Sequence, residues 1–123
     1  MKRQKGFATI LVVIMALSIF IIISMSLFIT TLSQQVIANN NVRSSQSYYV
    51  AEAGIEDALL RLLKDPSFLG SYELTVGDKK SQVEINPIGT SRRVLSTGNV
   101  SRRIRKLEVI YSISNVASWR EIK

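Results

Sequence analysis

The chain opens on a single apolar run. Of the 26 side chains from residue 7 to residue 32, 20 are apolar, and no charged residue occurs from Gly6 to Val42. As a helix at about 1.5 Å per residue this run rises ~39 Å, against roughly 30 Å of bilayer hydrocarbon. Its polar members are Thr9, Ser18, Ser24, Ser26, Thr30 and Thr31. All are hydroxyl residues that can bond back to their own helix, so none forces an unsatisfied group into lipid. The pattern predicts a transmembrane helix over residues 7–32.

Helical periodicity continues past the run. From Ser33 to Lys64 there is no Pro, Asn39-Asn40-Asn41 is the one weak stretch, and Gly54 costs about 1 kcal/mol relative to Ala. Tyr48, Ala51, Ile55, Leu59 and Leu62 recur at three- and four-residue spacing and form one apolar stripe, with Glu52, Glu56 and Arg61 off it. Asp65-Pro66 supplies the stop, because a residue before proline is driven out of the αR region. A helix over residues 7–64 would measure ~87 Å. Residues 33–65 are therefore expected to form an amphipathic half outside the bilayer.

Beyond Pro66 the period becomes two. Residues 72–76 and 82–85 alternate around a turn at Gly77-Asp78-Lys79-Lys80, which reads as a hairpin. Turns expected at residues 87–91 and at Gly98-Asn99 set off a third strand over residues 93–97 and a fourth over residues 106–113. Ile104 is out of phase with Leu107, Val109, Tyr111 and Ile113, predicting a bulge or a change of pairing near Arg105. Residues 66–114 thus form the β module, and residues 115–123 a tail without a clear element, in which Trp119 packs on the module or a neighbouring subunit. The strand face bearing Leu74, Val76, Val83, Ile85, Val109 and Tyr111 needs a cover, and the helix stripe is the available partner. The expected fold class is α+β, a long N-terminal helix packed on a small four-stranded antiparallel meander.

Composition narrows the chemistry. A chain of 123 residues is one small domain at most. There is no Cys and no His, hence no disulfide, thiol nucleophile or imidazole. The nine carboxylates form no D-x-D-x-D-G type cluster. No cofactor and no metal is implied. Glu52 and Glu56 lie four apart on a helix without a third group, which reads as solvated charge rather than acid–base catalysis.

Charge gives the run a direction. Lys2, Arg3 and Lys5 precede it and the first charge after it is Arg43. By the positive-inside rule the N-terminus is cytoplasmic and everything after about residue 35 lies outside. A cleaved secretory signal has an apolar region of roughly 7–15 residues and an A-x-A-like site; this run is about twice as long, and no such site closes it. The other basic residues concentrate in the module as Arg92, Arg93, Arg102, Arg103, Arg105 and Lys106, with Lys79 and Lys80. Three readings stay open for them: edge-strand protection, contact with subunits or lipid headgroups, and binding of extracellular DNA. No aromatic stacking pattern accompanies the arginines.

The junction Lys2-Arg3-Gln4-Lys5-Gly6-Phe7-Ala8-Thr9-Ile10-Leu11 is a short basic leader ending in Gly, then Phe, then the apolar helix without a spacer. It resembles the class III signal of type IV prepilins and pseudopilins. The resemblance implies cleavage between Gly6 and Phe7 by a prepilin peptidase, methylation of the new N-terminus, and transfer through an inner-membrane assembly platform from membrane lipid into an extracellular filament of pilin subunits. Residues 1–6 would be discarded, and the net charge would fall from +7 to +4 with the loss of three basic residues. Most pilins carry Glu at the fifth mature position, where this chain has Leu11. A carboxylate in lipid is costly unless paired, so its absence favours a minor over a major pilin. The stretch Ala51-Glu52-Ala53-Gly54-Ile55-Glu56 is similar to the PilX-like minor pilins, and its small residues make a slim helix face. The alternative is a single-pass anchored module, exported and binding a partner, that forms no filament.

Overall fold

The computed structural model describes residues 2–112 and 115–122; Ile113, expected in the fourth strand, lies outside them. One helix, α1 (Lys2–Lys64), is followed by five strands: β1 (Gly70–Val76), β2 (Lys79–Ile88), β3 (Ser91–Val100), β4 (Arg103–Ser112) and β5 (Asn115–Ile122). The chain divides into two compact units, Met1–Asn39 and Asn40–Lys123.

In the first unit every described side chain from Gln4 to Asn39 is exposed. Helix α1 contains a stretch long and apolar enough to cross a membrane. Four of the six hydroxyl residues in the run bond back to the helix: Thr9, Ser18, Thr30 and Thr31 each donate to the carbonyl four residues earlier, at 2.9 Å. The helix runs on through Asn39-Asn40-Asn41 without a break.

In the second unit the helix ends where Asp65-Pro66 requires. Asp65 N–H still bonds the Arg61 carbonyl at 2.8 Å, and the Asp65 carboxylate then accepts from Ser67 N–H at 3.0 Å, turning the chain away. The strands form one antiparallel sheet in sequential order, β1-β2-β3-β4-β5. Ala51, Ile55, Ala58 and Leu62 of α1 are fully buried with Val83, Ile85, Val94, Leu107 and Val109 of the sheet, and Tyr48, Leu59, Phe68, Tyr72 and Tyr111 pack around them. The expected stripe is right in phase, with Tyr48 and Leu59 at its margins.

Helix and sheet meet through small residues. Gly54 lies on a buried pair of serine hydroxyls, Ser81 and Ser96, 2.8 Å apart. A Cβ at Gly54 would overlap both oxygens, and one at Gly98 would strike the Ser47 carbonyl oxygen and stand 2.8 Å from Ala51 N. Gly98 is therefore a site of close backbone approach. This corrects the expected turn at Gly98-Asn99: β3 runs to Val100, and the turn is Ser101-Arg102.

Three further expectations change. The sheet has five strands, because residues 115–122 of the supposed tail pair with β4. No irregularity occurs near Arg105, where β3–β4 pairing is continuous; Ile104 is out of phase because it faces outward, 56% exposed. The register shift lies in β4–β5, where Tyr111 pairs with Val116 and Ile110 with Ser118, leaving Ala117 as the extra residue. Pro87 belongs to β2 rather than to a turn. Pairing with β1 stops at Ile85, so one side of β2 is open there and proline's missing N–H costs no ladder bond.

Gly98→Ala is expected to destabilise the full chain by about 1–3 kcal/mol, since helix backbone must move. Gly54→Ala meets side chains and recovers up to about 1 kcal/mol of helix propensity. Denaturant titration in detergent should therefore show Gly98→Ala as the worse change. Adding Ser81→Ala and Ser96→Ala should restore part of the Gly54→Ala loss and none of the Gly98→Ala loss.

Candidate functional site

The residues singled out from the sequence fall in separate places. Gly6 and Phe7, the expected cleavage pair, lie in α1, with Phe7 69% exposed, and Leu11 is also exposed a turn further on. A bond to be cut has to be unfolded locally from a helix, and glycine is a weak helix former that favours this. In the Ala51–Gly54 segment, Ala51 and Gly54 are buried against the sheet, while Glu52 and Ala53 are half-buried at its margin. This small-residue motif serves packing within the chain, through its seam with Ser81, Ser96 and Gly98.

The basic residues do not form one patch. Arg92 faces the helix side at the end of the module near Pro66, beside Tyr111, where a hollow of about 240 Å³ is lined by Pro66, Ser67, Thr90, Arg92 and Tyr111. Its Nε is buried without a hydrogen-bond partner. Arg93 is on the opposite face and is committed to Glu108. That carboxylate is 3% exposed, accepts from Arg120 at 2.9 and 2.6 Å, and pairs with Arg93 Nε at 3.2 Å. The clamp ties β3, β4 and β5 together on the outer face. Arg102, Arg103, Arg105 and Lys106 gather around the β3–β4 turn. Arg105 reaches back to α1, donating to Ser44 Oγ at 2.6 and 3.0 Å, and pairs with Glu121 of β5.

Two contacts had no sequence signal. Glu108 sits among alternating residues like any solvated strand charge, and only the β5 pairing, itself hidden by the Ala117 bulge, brings Arg120 to it. Asp57 of α1 accepts from Tyr72 Oη and from Arg61 Nε, both at 2.7 Å. The Arg61 guanidinium lies 4.1 Å from the Tyr72 ring centroid. Burial tends to raise the Asp57 carboxyl, but the Tyr72 and Arg61 hydrogen bonds and the nearby cations outweigh it and hold it below its ordinary value of 3.8. Tyr72 is pushed up, by burial first and then by the carboxylate it donates to.

Among the described residues no group of three or more His, Cys, Asp or Glu is placed to hold a metal ion. No protein-family model, curated protein or solved structure matches the chain. Function is left to be read from the residues themselves.

The Glu108 clamp should respond asymmetrically. Removing both arginines, Arg93→Ala with Arg120→Ala, strands a buried carboxylate and is expected to cost about 3 kcal/mol or more. Glu108→Gln leaves two arginines that reach water and should cost clearly less in the same denaturant titration. Asp57 predicts a pH dependence. Its lowered folded value means that its contribution is complete above the unfolded value near 3.8 and is lost as pH falls through the folded one. The stability difference between the wild type and Asp57→Asn is expected to be constant near neutral pH and to shrink below about pH 4.

Proposed function

We propose that this chain is a type IV pilin-like subunit, a minor pilin of the PilX kind, with a structural rather than catalytic role. It is held in the cytoplasmic membrane by residues 7–32 with its N-terminus in the cytoplasm, cut after Gly6 by a prepilin peptidase, and assembled into an extracellular filament. The observation that carries the reading is a helix with two kinds of surface: apolar side chains exposed over residues 7–32, and a stripe from Ala51 to Leu62 buried under an antiparallel sheet. A surface of that length needs apolar neighbours throughout, first lipid and then the helices of other subunits. The exchange costs little, because lipid tails and an apolar filament core are similar solvents.

Two sequence features support the processing step and the minor role. The Gly6-Phe7 junction places a small residue and then the apolar helix directly after a basic leader. Leu11 removes the carboxylate that a major subunit would bring to its neighbour's N-terminus.

Mass determination of the membrane-extracted protein, co-expressed with a prepilin peptidase, tests the proposal. The expected product lacks residues 1–6 and carries a methyl group at Phe7. Gly6→Val should abolish processing. A chain still beginning at Met1 in the wild type would overturn the pilin reading in favour of the anchored module that forms no filament.

A further inference from the structure

We propose that the turn-bearing end of the sheet module is a docking surface for the anionic phospholipid headgroups of the bilayer that holds the chain. The inference rests on the reading of residues 7–32 as the membrane segment.

A sequential meander places the β1–β2 turn, the β3–β4 turn and the end of β5 together. At this end the helix enters the second unit: Arg105 bonds Ser44, and Gly98 lies against Ser47 and Ala51. Lys79 and Lys80, expected in the first turn, open β2 directly after it, Arg102 lies in the second turn, and Arg103, Arg105 and Lys106 come from β4, which follows it. Arg43 precedes Ser44 by one residue. The acidic groups here are Glu73, Asp78 and Glu121, and each is taken by one cation, Lys80, Lys79 and Arg105 respectively. Among the described residues Arg43, Arg102, Arg103 and Lys106 have no ion pair. Seven cations against three carboxylates leave +4 at this end, while the other described charges from position 43 onward, five basic and six acidic, nearly cancel. The net charge of the exported part therefore lies at one pole.

The shape of this pole favours a lipid surface. Ile104, 56% exposed, projects between hollows of about 470 and 420 Å³, one lined by Arg102, Arg103, Arg105, Lys106 and Glu121 and the other by Lys79, Lys80, Glu73 and Asp78. An apolar side chain among surplus cations suits a headgroup layer, where it enters the acyl boundary while the charges stay with the phosphates. Among the described residues no aromatic side chain lines either of these hollows; Tyr48 and Tyr49 line a separate one with Arg105 and Glu121, and amphipathic tyrosines suit a headgroup layer as well as they suit base stacking. The turn itself is an unfavourable choice for a bare hairpin. Ser101 and Arg102 have φ of 47° and 69°, left-handed conformations that cost a side-chain-bearing residue on the order of 1 kcal/mol each and that Asn-Gly would relieve. Keeping Arg102 there keeps a cation at the tip.

Chain length supplies the proximity. Eight residues carry the chain from Leu32 to Asn40, a rise of about 12 Å as helix; the headgroup layer itself takes up roughly 5–7 Å of that, and the remainder is within the ~8 Å Debye length at physiological ionic strength.

Because the chain has no cysteine, Ile104→Cys gives a single site for an environment-sensitive fluorophore in the full chain reconstituted into vesicles. With phosphatidylglycerol present, the probe should shift to the blue and be quenched by brominated acyl chains; in phosphatidylcholine alone it should not. Added salt should reverse the effect without any change to the protein, and Lys106→Glu should lower the docked-to-undocked ratio about fivefold or more. A probe at Phe20→Cys reports on the membrane segment separately. If it is not quenched in either lipid, the membrane reading fails. If it is quenched while the probe at position 104 ignores lipid charge, the headgroup proposal alone is overturned. A response at 104 to duplex DNA over phosphatidylcholine, with none to phosphatidylglycerol, would likewise overturn it and make the pole a nucleic-acid surface.

Discussion

The second unit depends on how closely one helix backbone can approach one sheet. Gly98 lies against the Ser47 carbonyl and Ala51 N–H, and Gly54 lies over the Ser81 and Ser96 hydroxyls. At ordinary side-chain separation the helix would stand off the sheet, and the medium-sized residues that flank the seam would no longer reach. Ile55, Leu62, Val83, Ile85 and Leu107 are buried to 1% exposure or less because the small residues allow the approach. The core is built mostly of Val, Ile and Leu, none large enough to bridge a wider gap. The serine pair fits the same logic: two short hydroxyls satisfy each other at 2.8 Å and need no room for a partner.

That constraint also explains what could be read from the sequence and what could not. The helix stop at Asp65-Pro66, the phase of the Ala51–Leu62 stripe and the first hairpin are decided locally, and all three were legible. Gly98-Asn99 was not, because glycine marks both turns and close approaches, and only the position of Ser47 in space separates them. The true turn, Ser101-Arg102, uses residues that carry no turn signal. Strand β5 was hidden for a mechanical reason. Val116 and Trp119 pair with Tyr111 and Val109 on one face, yet they stand three apart in sequence because Ala117 bulges between them. A period-two pattern with one extra residue does not look like a strand. Of the candidate site, the apolar run and its junction are sequence features and needed no fold, whereas the basic residues read as one patch belong to three places.

The division of charge is a consequence of strand parity. Arg92 and Arg93 are neighbours in sequence and therefore point to opposite faces, one toward a hollow beside Tyr111 and one onto Glu108. Arg102 in the turn and Arg103 at the first position of β4 escape that separation and line one hollow. Pairing then sorts the rest: carboxylates neutralise cations along the strands, and the excess remains where the turns are.

The sequential order of the sheet has a consequence for how the molecule comes to be. Every strand pairs only with its neighbours along the chain, so each hairpin can form from a short segment with little loop entropy to overcome. Contacts between distant residues are confined to helix docking, as between Ser44 and Arg105, 61 positions apart. A chain whose helix is already formed can therefore zip its hairpins one after another. Docking would be a late, single closure, made when the β3–β4 hairpin presents Gly98 to a helix that has been waiting since residue 47.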